Sequence, residues 1–179
     1  SSGFMNNTAN VGNHFNVSVS TTSFPDGNYN LTIYAYDVNG DGLNDVITSL
    51  DCHNYGLVWY EQLRDNSEIK FKQQVIMGKE PKDSKYGVKF SQPHAIDLVD
   101  MDGDGLKDII TGKRFWAHGP SGDSEPNAPA VLYWFKLVRH ADKTVEFIPY
   151  LVDNDSGVGT QVAAGDVNGD GLPDIIVGN

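Results

Sequence analysis

Asp37-Val38-Asn39-Gly40-Asp41-Gly42-Leu43-Asn44-Asp45-Val46-Ile47 recurs almost unchanged at residues 100–110 (DMDGDGLKDII) and 166–176 (DVNGDGLPDII) of the 179-residue chain. Each copy puts an oxygen-bearing side chain at positions 1, 3, 5 and 9. These are Asp37, Asn39, Asp41 and Asp45 in the first, Asp100, Asp102, Asp104 and Asp108 in the second, and Asp166, Asn168, Asp170 and Asp174 in the third. Position 7 (Leu43, Leu106, Leu172) adds a backbone carbonyl. Such crowding of acceptors on a tight turn suits a hard cation that takes six to eight oxygens, as Ca²⁺ does. Glycine at position 6 lets the backbone bend so that the side chains turn inward. Without a cation the carboxylates would repel one another. Recurrence at spacings of 63 and 66 residues excludes chance and predicts one Ca²⁺ per loop, up to three.

The charge balance follows from these loops. Ten of the 24 acidic residues lie in them, and three Ca²⁺ would bring the formal charge from −11 to −5. An acidic chain of pI near 4.6 is a poor partner for nucleic acid or an anionic membrane surface. No apolar run reaches the roughly 18 residues of a membrane span, so direct membrane insertion is not expected. The single cysteine, Cys52, excludes an internal disulfide and reads as a small packed side chain. Low-affinity calcium loops fill where Ca²⁺ is millimolar, which predicts an extracellular, periplasmic or cell-surface location. The sequence lacks both an initiator Met and a signal peptide, so the expectation is a segment of a longer chain with other domains as neighbours.

Around each loop the repeat is larger. A short β-like run precedes it (Leu31 to Tyr36, His94 to Val99, Thr160 to Gly165) and a β-branched run follows (Asp45 to Leu50, Asp108 to Gly112, Asp174 to Gly178). Two further runs complete the first two units: Gly56 to Tyr60 with Ile69 to Ile76, and Ala130 to Phe135 with Val145 to Val152. Four short strands, A to D, with turns between them predict one antiparallel sheet per repeat and an all-β chain. Trp59 and Trp134 match in position and read as core. Phe15 to Val19 alternates like a strand D, and Phe24 to Ile33 also reads as a hairpin of an immunoglobulin-like module.

An EF-hand needs a bidentate Glu at position 12 and flanking helices. Position 12 is Thr48, Thr111 and Val177 here, between strands, so the EF-hand and the dockerin loop both fail. With its last carboxylate at position 9 and an Ile/Val pair next, the loop resembles the FG-GAP or VCBS repeat. Gly157 to Asp166 and the ending Ile176-Val177-Gly178-Asn179 carry the fuller signature, while Phe90-Ser91-Gln92-Pro93-His94 departs from it. The resemblance implies β-propeller blades with calcium loops of the integrin-α kind, and an incomplete segment of a larger propeller. Residues 1–30 would be the last strand of an upstream blade or a leader. Residues 31–93 and 94–159 would be blades, the second with a long B–C insertion, and 160–179 the first half of a third.

On that plan the loops are structural staples, and Asp102, the fourth carboxylate, makes the second loop the tightest binder. The B–C and D–A connections share the opposite face. They carry Asp51, His53, Asn54, Tyr55, Lys89, Gln92, His94, Lys113, Arg114, Trp116, His118, Thr160 and Gln161. Of these, His53, His94, Arg114, Trp116 and His118 are the candidate ligand face, for a protein or carbohydrate partner. The three histidines could also hold a transition metal. The expectation is a non-catalytic recognition or adhesion module. The alternative is the propeller of a carbohydrate-active enzyme, a lyase or dehydratase, with His53, His94, Arg114 and His118 as catalytic candidates. A spacer between domains is the third. Convergence of the four side chains would favour the enzyme, and splayed side chains the binding module. Lys79 to Lys85 reads as a solvated charged loop.

Overall fold

Alternating β-branched and aromatic runs broken by Gly/Asp turns leave the chain little choice but short antiparallel strands. The computed structural model describes residues 34–116 and 118–178. The readings of Phe15 to Val19, Phe24 to Ile33 and the 1–30 segment fall outside these residues. The first sheet runs in order β1 (Tyr34–Tyr36), β2 (Asp45–Ser49), β3 (Leu57–Asp65) and β4 (Glu68–Met77). The second repeats it with β5 (Ile96–Val99), β6 (Asp108–Gly112), β7 (Leu132–Arg139) and β8 (Val145–Asp153). The strands β9 (Gln161–Gly165) and β10 (Asp174–Gly178) form a third, two-stranded unit. All neighbours pair antiparallel. Among the described residues there is one 3-10 turn, Pro81–Asp83, no α-helix, and no helix long and apolar enough to cross a membrane.

The repetition extends to the pairing register. Trp59 faces Ile47, and Trp134 faces Ile110, each partner two residues beyond its position-9 aspartate. A register shift falls at Leu57/Val58 and again at the matching Leu132/Tyr133. Strand C runs further than the apolar pattern suggests, to Asp65 in the first sheet and Arg139 in the second, whereas strand D matches its expected run to within one residue at each end. Backbone geometry closes the first of these hairpins: Asn66 and Ser67 both take positive φ (48° and 74°), as a two-residue turn between twisted strands requires.

The sheets stack face to face. Ile47, Leu57 and Trp59 of the first pack with Ile109, Phe135 and Leu137 of the second in one buried cluster. Ile110 and Leu132, on the second sheet's other face, pack with Val158 and are flanked by Trp134, Val162, Ala164, Ile175 and Val177 in another. Period-two alternation makes this possible, since successive side chains of β6 serve opposite neighbours. Trp59 is buried, whereas Trp134 is half-buried and stacks on Tyr150 with ring centres 4.7 Å apart. Both strand-B aspartates and the A–B loops therefore sit at one end of the stack, and the B–C and D–A connections at the other.

Candidate functional site

The three acidic loops share one hydrogen-bond scheme. At position 1, Asp37 Oδ1 accepts from the Gly40 and Asp41 amides (2.7 and 3.1 Å) and Oδ2 from Gly42 (3.0 Å). Asp100 and Asp166 repeat these three bonds. The ring closes on glycines at both positions 4 and 6, all with φ between 76° and 87°. Position 4 was not singled out from the sequence, although its left-handed backbone is as demanding.

Position 9 does more than close the loop. Asp45 Oδ2 accepts from the Val38 amide (2.9 Å) and Oδ1 from the Gln62 amide in β3 (2.8 Å). Asp108 does the same with Met101 (3.1 Å) and Leu137 in β7 (2.8 Å). Both carboxylates are fully buried, so each ties strands A, B and C together. Burial, opposed by these amides, pushes the Asp45 carboxyl up to about 6 and raises that of Asp108. A cation would relieve that cost. Ligand oxygens of Asp100, Asp102 and Asp108 lie within 4.8 Å of one another, close enough to share an ion of the Ca²⁺ class. In the first loop, Asp37 Oδ2 and both Asp45 oxygens each accept one amide and keep a second lone pair, so the donor set fits.

The surroundings of the loops differ. Lys136 in β7 forms an ion pair with Asp102 and another with Asp104 (3.2 Å). The register puts Glu61 at the matching place in β3, where its carboxylate accepts from Asn39 (3.3 Å). Arg139 reaches across from β7 to the first loop, donating to the carbonyls of Asp37 and of Val38 (2.8 Å). None of these three was named from the sequence, because their roles depend on register and on a neighbouring sheet.

At the other end the connections interlock. The Gln92 amide donates to the Asn54 carbonyl (2.8 Å), and the Gln92 carbonyl accepts from His94 (2.8 Å) and Arg114 (3.0 Å). Gln92 holds φ at 60° while buried. Lys113 is fully buried, and its ammonium donates to the Arg114 carbonyl (3.3 Å) and, with the Gln92 amide turned to satisfy both groups, to Gln92 Oε1 (2.9 Å). Burial lowers its pKa.

The three histidines converge. His53 lies 4.6 Å from His94 and 4.5 Å from His118, ring centre to ring centre. His53 Nδ1 and His118 Nδ1 both reach Asp123 Oδ1, at 3.1 and 2.9 Å. Burial, reinforced by the Arg114 and His53 charges, drops the His94 pKa to about 4, so its ring is neutral. Its Nε2 is buried without a hydrogen-bond partner. Arg114 contributes its field to the cluster. Trp116 does not join it: the ring is exposed, stacks on Phe115 (5.2 Å) and donates to Asn127 (3.2 Å). Asp123 went unnamed because it lies in a Gly/Ser/Asp tract with no periodic signal.

A family model for the FG-GAP-like repeat matches residues 37–111, and one for the FG-GAP repeat matches residues 158–179. The chain belongs to the FG-GAP repeat family. Its sheets are accordingly β-propeller blades. Neither FG-GAP match includes residues 112–157, which hold Arg114, Trp116, His118 and Asp123. No curated protein matches the chain.

Proposed function

We propose that this is a calcium-stapled β-propeller module of a secreted or surface protein, serving as a recognition or adhesion scaffold. The observation that supports it is the threefold position-1 bonding scheme, which holds the loop oxygens ready for a hard cation before any ion arrives. Asp37, Asn39, Asp41 and Asp45, with the Leu43 carbonyl, would hold the first Ca²⁺. The matching residues of the other loops would hold two more. Bound ions would neutralise the buried Asp45 and Asp108 and brace strands A to C. FG-GAP repeats occur generally in extracellular or surface proteins, where millimolar Ca²⁺ would keep such loops filled.

The test is a thermal melt in Ca²⁺ and in EDTA. A melting temperature that falls by several degrees in EDTA and returns with Ca²⁺ supports the reading, and identical melts would sink it. The partner, a protein or carbohydrate, would meet the B–C and D–A face; a glycan array in Ca²⁺ tests the carbohydrate branch.

The convergence of His53, His94 and His118 on Asp123 favours a second reading, the propeller of a carbohydrate-active lyase or dehydratase. A neutral His94 beside Arg114 could accept a proton while the guanidinium holds an acidic sugar. Release of unsaturated products from acidic polysaccharides, lost in His94→Ala, would support this reading over the scaffold.

A further inference from the structure

We propose that His53, His118 and Asp123 form a site for one divalent transition-metal ion of the Zn²⁺ class, separate from the calcium loops. Their ligand atoms lie within 4.8 Å of one another. A tetrahedral ion with ligands at about 2.0–2.1 Å holds its donor atoms about 3.3 Å apart. The two nitrogen-to-oxygen distances, 3.1 and 2.9 Å, are near that edge length. Small side-chain shifts would admit the ion. Two imidazoles and one carboxylate are a borderline donor set that suits Zn²⁺, whereas Ca²⁺ takes oxygens.

The support is built into the fold. The Asp123 side chain is only 4% exposed, and its second oxygen accepts from the His118 amide (2.9 Å), which fixes the carboxylate. Ser124, next in the chain, is tied to the first blade through Asn54, while its carbonyl accepts from Ser91 (2.8 Å). His53 is anchored through its amide on Asp51 (3.0 Å). Thus one ligand comes from the B–C loop of the first blade and two from the insertion of the second. Metal binding would move any Nδ1 proton of each ring to Nε2, and the fourth position would face water. His94 lies beside His53, ring centre to ring centre 4.6 Å apart. Its Nε2 is buried without a hydrogen-bond partner.

Three protein ligands and one open position are the arrangement in which Zn²⁺ activates water or polarises an oxygen ligand. The test uses the full chain, stripped of metal and reloaded with saturating Ca²⁺ so that the acidic loops are occupied. Zn²⁺ titration by calorimetry should give one equivalent per chain. His118→Ala should weaken it by more than about 100-fold, the upper range for groups one step further from a metal. His118 has a side chain 60% exposed, so its removal leaves the core intact. Co²⁺ in place of Zn²⁺ should give visible absorption bands of a four-coordinate site, absent in His53→Ala. No Zn²⁺ binding, or equal binding by His118→Ala, would overturn the proposal. The Ca²⁺-dependent melt is scored separately, so failure of either reading leaves the other standing.

Discussion

The first and second acidic loops share their backbone scheme and differ in what leans on them. The first has Asn39 at position 3 and Glu61 alongside in β3, with Lys72 3.6 Å from the same carboxylate. The second has Asp102 at position 3 and Lys136 paired to it and to Asp104. By its own carboxylates alone, the second loop would hold a cation more strongly than the first. Counting the strand beside it removes much of that advantage, because Lys136 already occupies oxygens that an ion would use. The lesson is that a loop's cation demand depends on the neighbouring strand as well as on its own sequence.

The largest effect should come where the two loops agree. Asp45→Ala or Asp108→Ala strands two amides, and each buried unsatisfied donor costs about 1–3 kcal/mol. Unfolding in EDTA should show a loss of roughly 2–5 kcal/mol for either variant. A negligible loss without calcium would mean position 9 serves the ion alone.

Next in size is a pH effect on the first loop. The folded Asp45 carboxyl is raised from 3.8 to about 6, so its stabilising proton is fully present below pH 3.8 and lost as pH rises through 6. In EDTA this group should remove up to about 3 kcal/mol across that window. Asp45→Asn should flatten that part of the melting profile, and a profile unchanged by the substitution would break the assignment.

The smallest effect concerns the difference itself. Lys136→Gln should raise Ca²⁺ affinity at the second loop severalfold, and Glu61→Gln should lower it at the first by a similar factor. Both changes should shrink as salt is added. Calorimetry or Tb³⁺ luminescence can read them, and an unchanged second loop in Lys136→Gln would show that Lys136 yields its place freely.

Much of the fold was legible because its information is local. The four strands of each complete sheet follow from alternation, and the loops from oxygen spacing and glycine. The far end of strand C in the first sheet extends beyond its expected run because residues 61–65 are mostly polar and carry little hydrophobic signal. On the opposite face, His53, His94 and His118 were visible as residue types, but their meeting was not, since 41 residues of sequence separate His53 from His94. Trp116 was grouped with them by proximity in sequence, and its stacking on Phe115 directs it elsewhere.

By itself the sequence determined the repeat, the all-β character and the shape of each loop, because turn chemistry and period-two burial act over a few residues. Only the tertiary structure decided which charges reach those loops and which histidines share a carboxylate. Glu61, Lys136, Arg139 and Asp123 act across strands and between blades, and electrostatic contacts at about 3 Å are set by packing.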